Sequence, residues 1–159
     1  MPEEACNQVA GPILSLDLGE KRVGAAVSDA HSISITPLDP IKRTNWKQLL
    51  QDVSSLVRRF DAQTLVIGLP LRLDGTTGDV AIKASALAKN FALSLGIPVY
   101  LQDERLTSAE AEENLRYQGV KQEQISSRVD SEAAALILRD FLATGQKRIL
   151  VEPEIETER

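Results

Sequence analysis

The 159-residue chain is poor in the residues that most enzyme chemistries recruit first. It has one cysteine, one histidine, one tryptophan, two tyrosines and three phenylalanines. A single thiol, Cys6, excludes an intrachain disulfide and suits a reducing compartment. It has no histidine beside it in the sequence to make it a nucleophile. His31 stands outside every motif and reads as a surface residue, not a general base. Six aromatic side chains, 4% of the chain, leave no stacking platform of the kind single-strand binders use. No apolar run reaches membrane length, and the opening MPEEACNQVAGP is acidic where a secretion signal would be basic and then apolar. A net charge of -5 argues against broad, nonspecific nucleic-acid binding while leaving room for a local basic groove. Repeats, low-complexity tracts and interdomain linkers are lacking too.

What remains is the composition of one soluble domain, 43% hydrophobic and 26% charged, long enough to bury a sizeable core. Residues 1–12 and the acidic stretch 146–159, which ends VEPEIETER, read as poorly ordered ends around a domain of residues 13–145. The organising stretch is ILSLDLGEKRVGAAVSD, Ile13 to Asp29. Ile13, Leu14 and Leu16 make an apolar strand that runs into Asp17. Leu18 to Arg22 forms a Gly-containing turn, and Val23 to Val27 returns as a strand of small and β-branched residues. A third strand-like run, Ser32 to Leu38, is expected to stop at Pro37 and Pro40. Asn45 caps a helix whose apolar residues Trp46, Leu49, Leu50, Val53, Leu56, Val57 and Phe60 recur at helical spacing. TLVIGL, Thr64 to Leu69, reads as a strand buried on both faces. A helix follows from about Val80 to Leu95, then a strand from Ile97 to Leu101. A capping box at Thr107 and Glu110 opens a helix of residues 107–118, and a last helix is expected from Asp130 or Ser131 to about Ala143. The order β-β-β-α-β-α-β-α-α predicts a mixed five-stranded α/β sheet flanked by helices.

In such sheets ligands gather beyond the carboxyl ends of the strands. Asp17 and Glu104 (with Asp103) stand at two of those ends, and Asp130 opens the last predicted helix. Three converging carboxylates need hard cations to neutralise them, and oxygen-only ligation suits Mg²⁺ or Mn²⁺. A pair of such ions runs in-line phosphodiester hydrolysis. Each acid has an ordinary alternative. Asp17 could serve the turn, Asp103 and Glu104 a solvated loop, and Asp130 an N-cap. Phosphate contacts would come from Lys21, Arg22 and Arg105, then Arg72 and Arg128; each has the alternative of a solvated charge or an ion pair with a nearby Glu, an even alternative for Arg72 and Arg128, while position favours contact for Arg22 and Arg105. The pairs Lys42-Arg43, Arg58-Arg59 and Lys147-Arg148 are read as solvated faces.

Four stretches, ILSLDLGEKRVGAAVSD, VIGLPLRLDGTTG, DERLTSAEAEENL and VDSEAAALILRDFL, resemble the successive motifs of the YqgF/RuvX family. These are small RNase H-like proteins described as Holliday-junction-resolvase-like or as nucleases maturing pre-16S rRNA. The likeness spans about Ile13 to Leu142, with the motifs in family order. It implies an RNase H-like fold, a site binding Mg²⁺ or Mn²⁺ with acids at Asp17, Glu104 and Asp130, and a cytoplasmic role in 5′-end maturation of pre-16S rRNA by a monomer or weak homodimer. Two departures stand out. Ser108 replaces a threonine common in the family, and KQEQISSRVD has fewer lysines than the matching family segment, which weakens expected backbone contacts there. Branched DNA is the alternative substrate. Asp-x-Gly between strands also resembles the phosphate-binding hairpin of actin-like kinases, but those need two such domains. A binding module that kept the fold and lost its chemistry would usually lack one of the acids.

Overall fold

The computed structural model describes residues 9–19, 21–70, 79–104, 117–119, 122–144 and 148–151; at 69, 70, 79–81, 103, 104, 122–128, 144 and 148 it describes the backbone alone. Its elements in chain order are β1 (Ile13–Leu18), β2 (Arg22–Ser28), β3 (Ile35–Lys42), α1 (Trp46–Phe60), β4 (Thr64–Pro70), α2 (Asp79–Leu95), β5 (Val99–Glu104), α3 (Gln122–Thr144) and β6 (Arg148–Val151). The strands form one sheet in the order β3-β2-β1-β4-β5-β6. The first three pair antiparallel, as tight turns allow, and β1, β4 and β5 pair parallel through helical crossovers. This is the expected mixed α/β sheet with one strand more. The sixth strand, β6, runs antiparallel to β5 and lies within the stretch that composition alone assigned to an acidic end.

Strand alternation sorts the side chains into two layers. Leu14, Leu16, Leu65, Ile67, Val99 and Leu101 point to the face covered by α1 and α2, where Leu49, Val53, Ala84, Ala88 and Phe91 complete the main core. Asn45 caps α1 as expected, its side-chain oxygen accepting the Gln48 N–H at 2.9 Å. Ile13, Val66 and Tyr100 face the other way, onto Ile137, Leu138 and Phe141 of α3. Residues 9–12 belong to the fold: Ala10 accepts the Thr64 hydroxyl at 2.8 Å, and Pro12 accepts the Gln63 N–H at 2.8 Å.

Two boundaries differ from the sequence expectation for physical reasons. β3 does not stop at its prolines but runs through Pro37 and Pro40 to Lys42. It is an edge strand, so a missing N–H can face solvent without breaking the ladder. The last helix begins at Gln122, two turns before Asp130. Asp130 is therefore inside a helix and is not an N-cap, which removes the ordinary explanation for a carboxylate there. The helix expected over 107–118 lies outside the described residues apart from Tyr117 and Gln118, and Tyr117 is exposed.

Candidate active site

β1 delivers Asp17 to the sheet face beneath α3. Its neighbour across the antiparallel ladder is Gly24 of β2, and directly above Gly24 runs the backbone of Asp130. A Cβ at position 24 would lie 1.8 Å from the Asp130 carbonyl oxygen and 2.8 Å from the Ser131 nitrogen. Only glycine lets the helix approach this closely, and that approach sets Asp130 beside Asp17. Small residues on the helix serve the same end: Ser131, Ala133, Ala134 and Ala135 are all buried, with the bulkier Ile137, Leu138 and Phe141 following one turn on.

Hydrogen bonds then lock the helix in place. The Ser131 hydroxyl donates to the Leu38 carbonyl of β3 and lies 3.5 Å from the Ala25 N–H of β2. The β2–β3 register slips between Val23 and Ala25, so Ser131 serves backbone groups where the ladder is irregular. One turn on, the Ser15 hydroxyl donates to the Ala134 carbonyl at 2.6 Å.

The turn between β1 and β2 places the cations. The Gly19 N–H donates to the Arg22 carbonyl at 3.0 Å, and a Cβ on Gly19 would lie 2.5 Å from that oxygen. Arg43, arriving from the end of β3, donates its guanidinium to the Gly19 carbonyl at 2.8 Å and its backbone N–H to the Lys21 carbonyl at 2.9 Å. Sequence reading put Arg43 on a solvated face, yet it braces the turn that carries Lys21 and Arg22. Lys21 is exposed. The Arg22 Nε lies 3.2 Å from Asp130 Oδ2, with the arginine 47% exposed.

The electrostatics of the two acids follow from this packing. Burial, with the Asp130 charge adding to it, pushes the Asp17 carboxyl up to about 6. Burial also raises Asp130, and the Arg22 guanidinium opposes that rise. Arg22 attracts Asp130 without forming an aligned hydrogen bond: Oδ2 is buried and has no donor. Two crowded carboxylates, one with an oxygen that no aligned hydrogen bond satisfies, offer what a hard divalent cation takes: negative charge and oxygen donors. The residues present thus fit Mg²⁺ or Mn²⁺.

Other expected participants are placed less fully. Glu104 ends β5, its backbone in register with Pro70; its side chain, like that of Arg128 on α3, is outside the description. Arg72 and Arg105 lie outside the described residues. Among the described residues no three acids or histidines converge, since only Asp17 and Asp130 of the expected triad have described side chains. The structure adds Gln102, unforeseen from sequence. It is in register with Gly68, itself one residue beyond the Leu16–Ile67 pairing and so alongside Asp17. Gln102 is 1% exposed, and its Oε1 has no hydrogen-bond donor. An isolated glutamine between strand apolars and DER was the one available signal.

The chain has relatives among known proteins. The family model described as RuvX: Holliday junction resolvase matches residues 11–144. A "Putative pre-16S rRNA nuclease" of Syntrophus aciditrophicus is 43% identical over 138 residues, covering 86% of this chain and 92% of the relative. Its namesake in Anaeromyxobacter sp. (strain Fw109-5) is 40% identical over 129 residues, covering 81% and 94%. Among solved structures, Thermus thermophilus RuvC in complex with a Holliday junction substrate superposes with a TM-score of 0.56 at 18% identity, covering 86% of this chain and 98% of that one. At that identity the likeness speaks for the fold alone.

Proposed function

Because the chain belongs to the RuvX family, we propose that it is a divalent-metal-dependent nuclease that hydrolyses phosphodiester bonds in the 5′-end maturation of pre-16S rRNA in the cytoplasm. One observation carries the reading. Asp17 and Asp130, far apart in sequence, are packed together at a cost that raises both carboxyls. Stability alone gives no reason to crowd two half-buried acids together. A phosphodiesterase does, because such a pair can hold a hard cation.

In this reading Asp17, Glu104 and Asp130 hold one or two Mg²⁺ or Mn²⁺ ions. When bound, the metal would activate water for in-line attack at phosphorus and neutralise the charge that develops there. The chain's own residues do the rest. Lys21 and Arg22, on the braced turn, orient the phosphate, with Arg72, Arg105 and Arg128 as further contacts to the nucleic-acid backbone. The buried α3 face fixes the carboxylates so that they need not reorganise during the reaction. The protein works as a monomer or weak homodimer.

The names of the relatives favour RNA. The family's description favours a second reading, cleavage of branched DNA with the same chemistry, since acids and metal read only the phosphodiester. One experiment separates them: a labelled pre-16S rRNA end fragment and a four-way DNA junction are incubated with Mg²⁺, Mn²⁺ or EDTA. Wild type and Asp17→Asn are run in parallel. Metal-dependent RNA cleavage that the substitution abolishes supports the proposal. Junction cutting alone promotes the DNA reading, and no cleavage of either with binding intact leaves a binding module.

A further inference from the structure

Lys42 stands where the stability of the sheet gives no reason for a cation. It ends β3 directly opposite Arg22 of β2 in the antiparallel register. Next along the ladder Val23 pairs with Ile41, and both pack into the main core under α1. Alternation therefore turns Arg22 and Lys42 to the other face, the one on which Arg22 meets Asp130 of α3. Like charges directly opposite each other destabilise a ladder. Asp130 answers the charge of Arg22, whereas Lys42 is exposed and has no ion-pair partner among the described residues. Guarding an edge strand against stray pairing is an ordinary use of lysine. A glutamate would guard this edge as well, and would pair with Arg22 besides.

We propose that Lys42 is a nucleic-acid contact that holds a backbone phosphate where the bound strand leaves the carboxylate pair over the outer edge of β3. The inference rests on the nuclease reading above and extends it from the reacting phosphate to its neighbours along the strand. Charge supports it first. Lys21, Arg22, Lys42 and Arg43 outnumber Glu20 and Asp39 in their two segments of a chain whose net charge is -5, so this end of the sheet opposes the field of the whole. The cations are also held in place. Arg43 donates its guanidinium to the Gly19 carbonyl and its N–H to the Lys21 carbonyl, which ties the end of β3 to the β1–β2 turn. A surface fixed in this way loses little freedom when a strand binds. Spacing agrees as well. β3 lies two strands from β1, roughly 10 Å, too far for Lys42 to reach a phosphate held by Asp17. A nucleic-acid strand advancing about 3.4 Å per nucleotide covers that span in about three nucleotides. Such a contact reads charge alone, so it adds affinity without sequence preference.

The test measures binding without turnover. Affinity for the pre-16S rRNA end fragment is followed in EDTA across a salt series, for wild type, Lys42→Gln and Arg58→Gln. Arg58 is an exposed cation in the last turn of α1, the helix that covers the opposite face, so its loss changes the net charge equally. In Lys42→Gln the slope of log affinity against log salt should be smaller by about 0.7 to 1, the signature of one lost phosphate contact. Arg58→Gln should keep the wild-type slope. An unchanged slope in Lys42→Gln, or an equal loss in both variants, overturns the proposal. Lys42→Glu separates contact from folding. It should melt no lower than wild type, because an acid there faces Arg22, yet it should bind the RNA more weakly than Lys42→Gln. Wild-type affinity in Lys42→Glu overturns the proposal too. A smaller slope in Lys42→Gln alongside no metal-dependent cleavage by wild type supports the contact and removes the nuclease reading. Failure of wild type to bind the RNA overturns both.

Discussion

Asp17 carries its negative charge against the grain of its surroundings. Its carboxyl is pushed from the ordinary 3.8 to about 6 by burial and by Asp130. Below pH 3.8 folded and unfolded chains both hold this proton, and above 6 neither does. Between those values only the folded chain holds it, so stability rises as pH falls through 6 and the full penalty is felt above it. The difference amounts to roughly 2–3 kcal/mol at most. In EDTA, wild type should therefore lose stability between pH 5 and pH 8 relative to Asp17→Asn, with the variant the more stable protein at pH 8. Urea unfolding of both at the two pH values measures this directly. An identical pH dependence would mean that Asp17 is not held in a charge-averse site. A substitution that stabilises the fold while abolishing cleavage would mark Asp17 as kept for chemistry.

At the scale of elements, the site is a matter of how closely α3 can lie on β2. Asp130 owes its place to the missing side chain at Gly24, because the carbonyl oxygen that a Cβ would strike belongs to the helix backbone and cannot rotate away. Gly24→Ala should cost more than about 2 kcal/mol through forced displacement of the helix, and it should weaken Mn²⁺ binding as Asp130 moves off Asp17. A control separates these effects. Asn45→Ala removes the cap of α1 on the opposite face and should cost about 1 kcal/mol, with Mn²⁺ affinity unchanged. Thermal melts and Mn²⁺ titrations of both variants decide; wild-type metal affinity in Gly24→Ala would disprove the positioning role. This contrast shows what was legible in the sequence. Periodicity and local chemistry announce the α1 stripe, the Asn45 cap, the hairpin and the TLVIGL strand, because neighbours along the chain determine them. Asp17 was visible as an acid ending an apolar strand. Gly24, Ser131 and Arg43 were not, since each acts on a partner brought up only by folding. The prolines of β3 misled for the same reason: whether a missing N–H matters depends on being at an edge, and edges belong to the sheet as a whole.

The whole molecule depends on its last described strand more than composition suggests. Arg148–Val151 is short and lies next to charged sequence, yet as β6 it covers the outer edge of β5, pairing from Val99–Val151 to Gln102–Arg148. Val151 is buried in the main core. β5 in turn carries Gln102, in register with Gly68, and ends at Glu104, whose backbone is in register with Pro70. A chain ending at residue 147 loses the burial of one valine, worth about 1.5–3 kcal/mol, and leaves β5 with a row of unpaired backbone groups. An uncovered strand of this kind recruits other strands. The shortened chain should therefore melt at a lower temperature and self-associate. Its Mn²⁺ affinity should fall less than in Gly24→Ala, because Asp17 and Asp130 lie on the far side of β4 from the cut edge. Melting curves, size-exclusion chromatography and Mn²⁺ titration read the three effects separately. A truncated chain with the full-length melting temperature and a single monomer peak would show that β6 is dispensable to the sheet. Loss of metal binding as complete as in Gly24→Ala would place the β5 end, and with it Glu104, at the heart of the metal site.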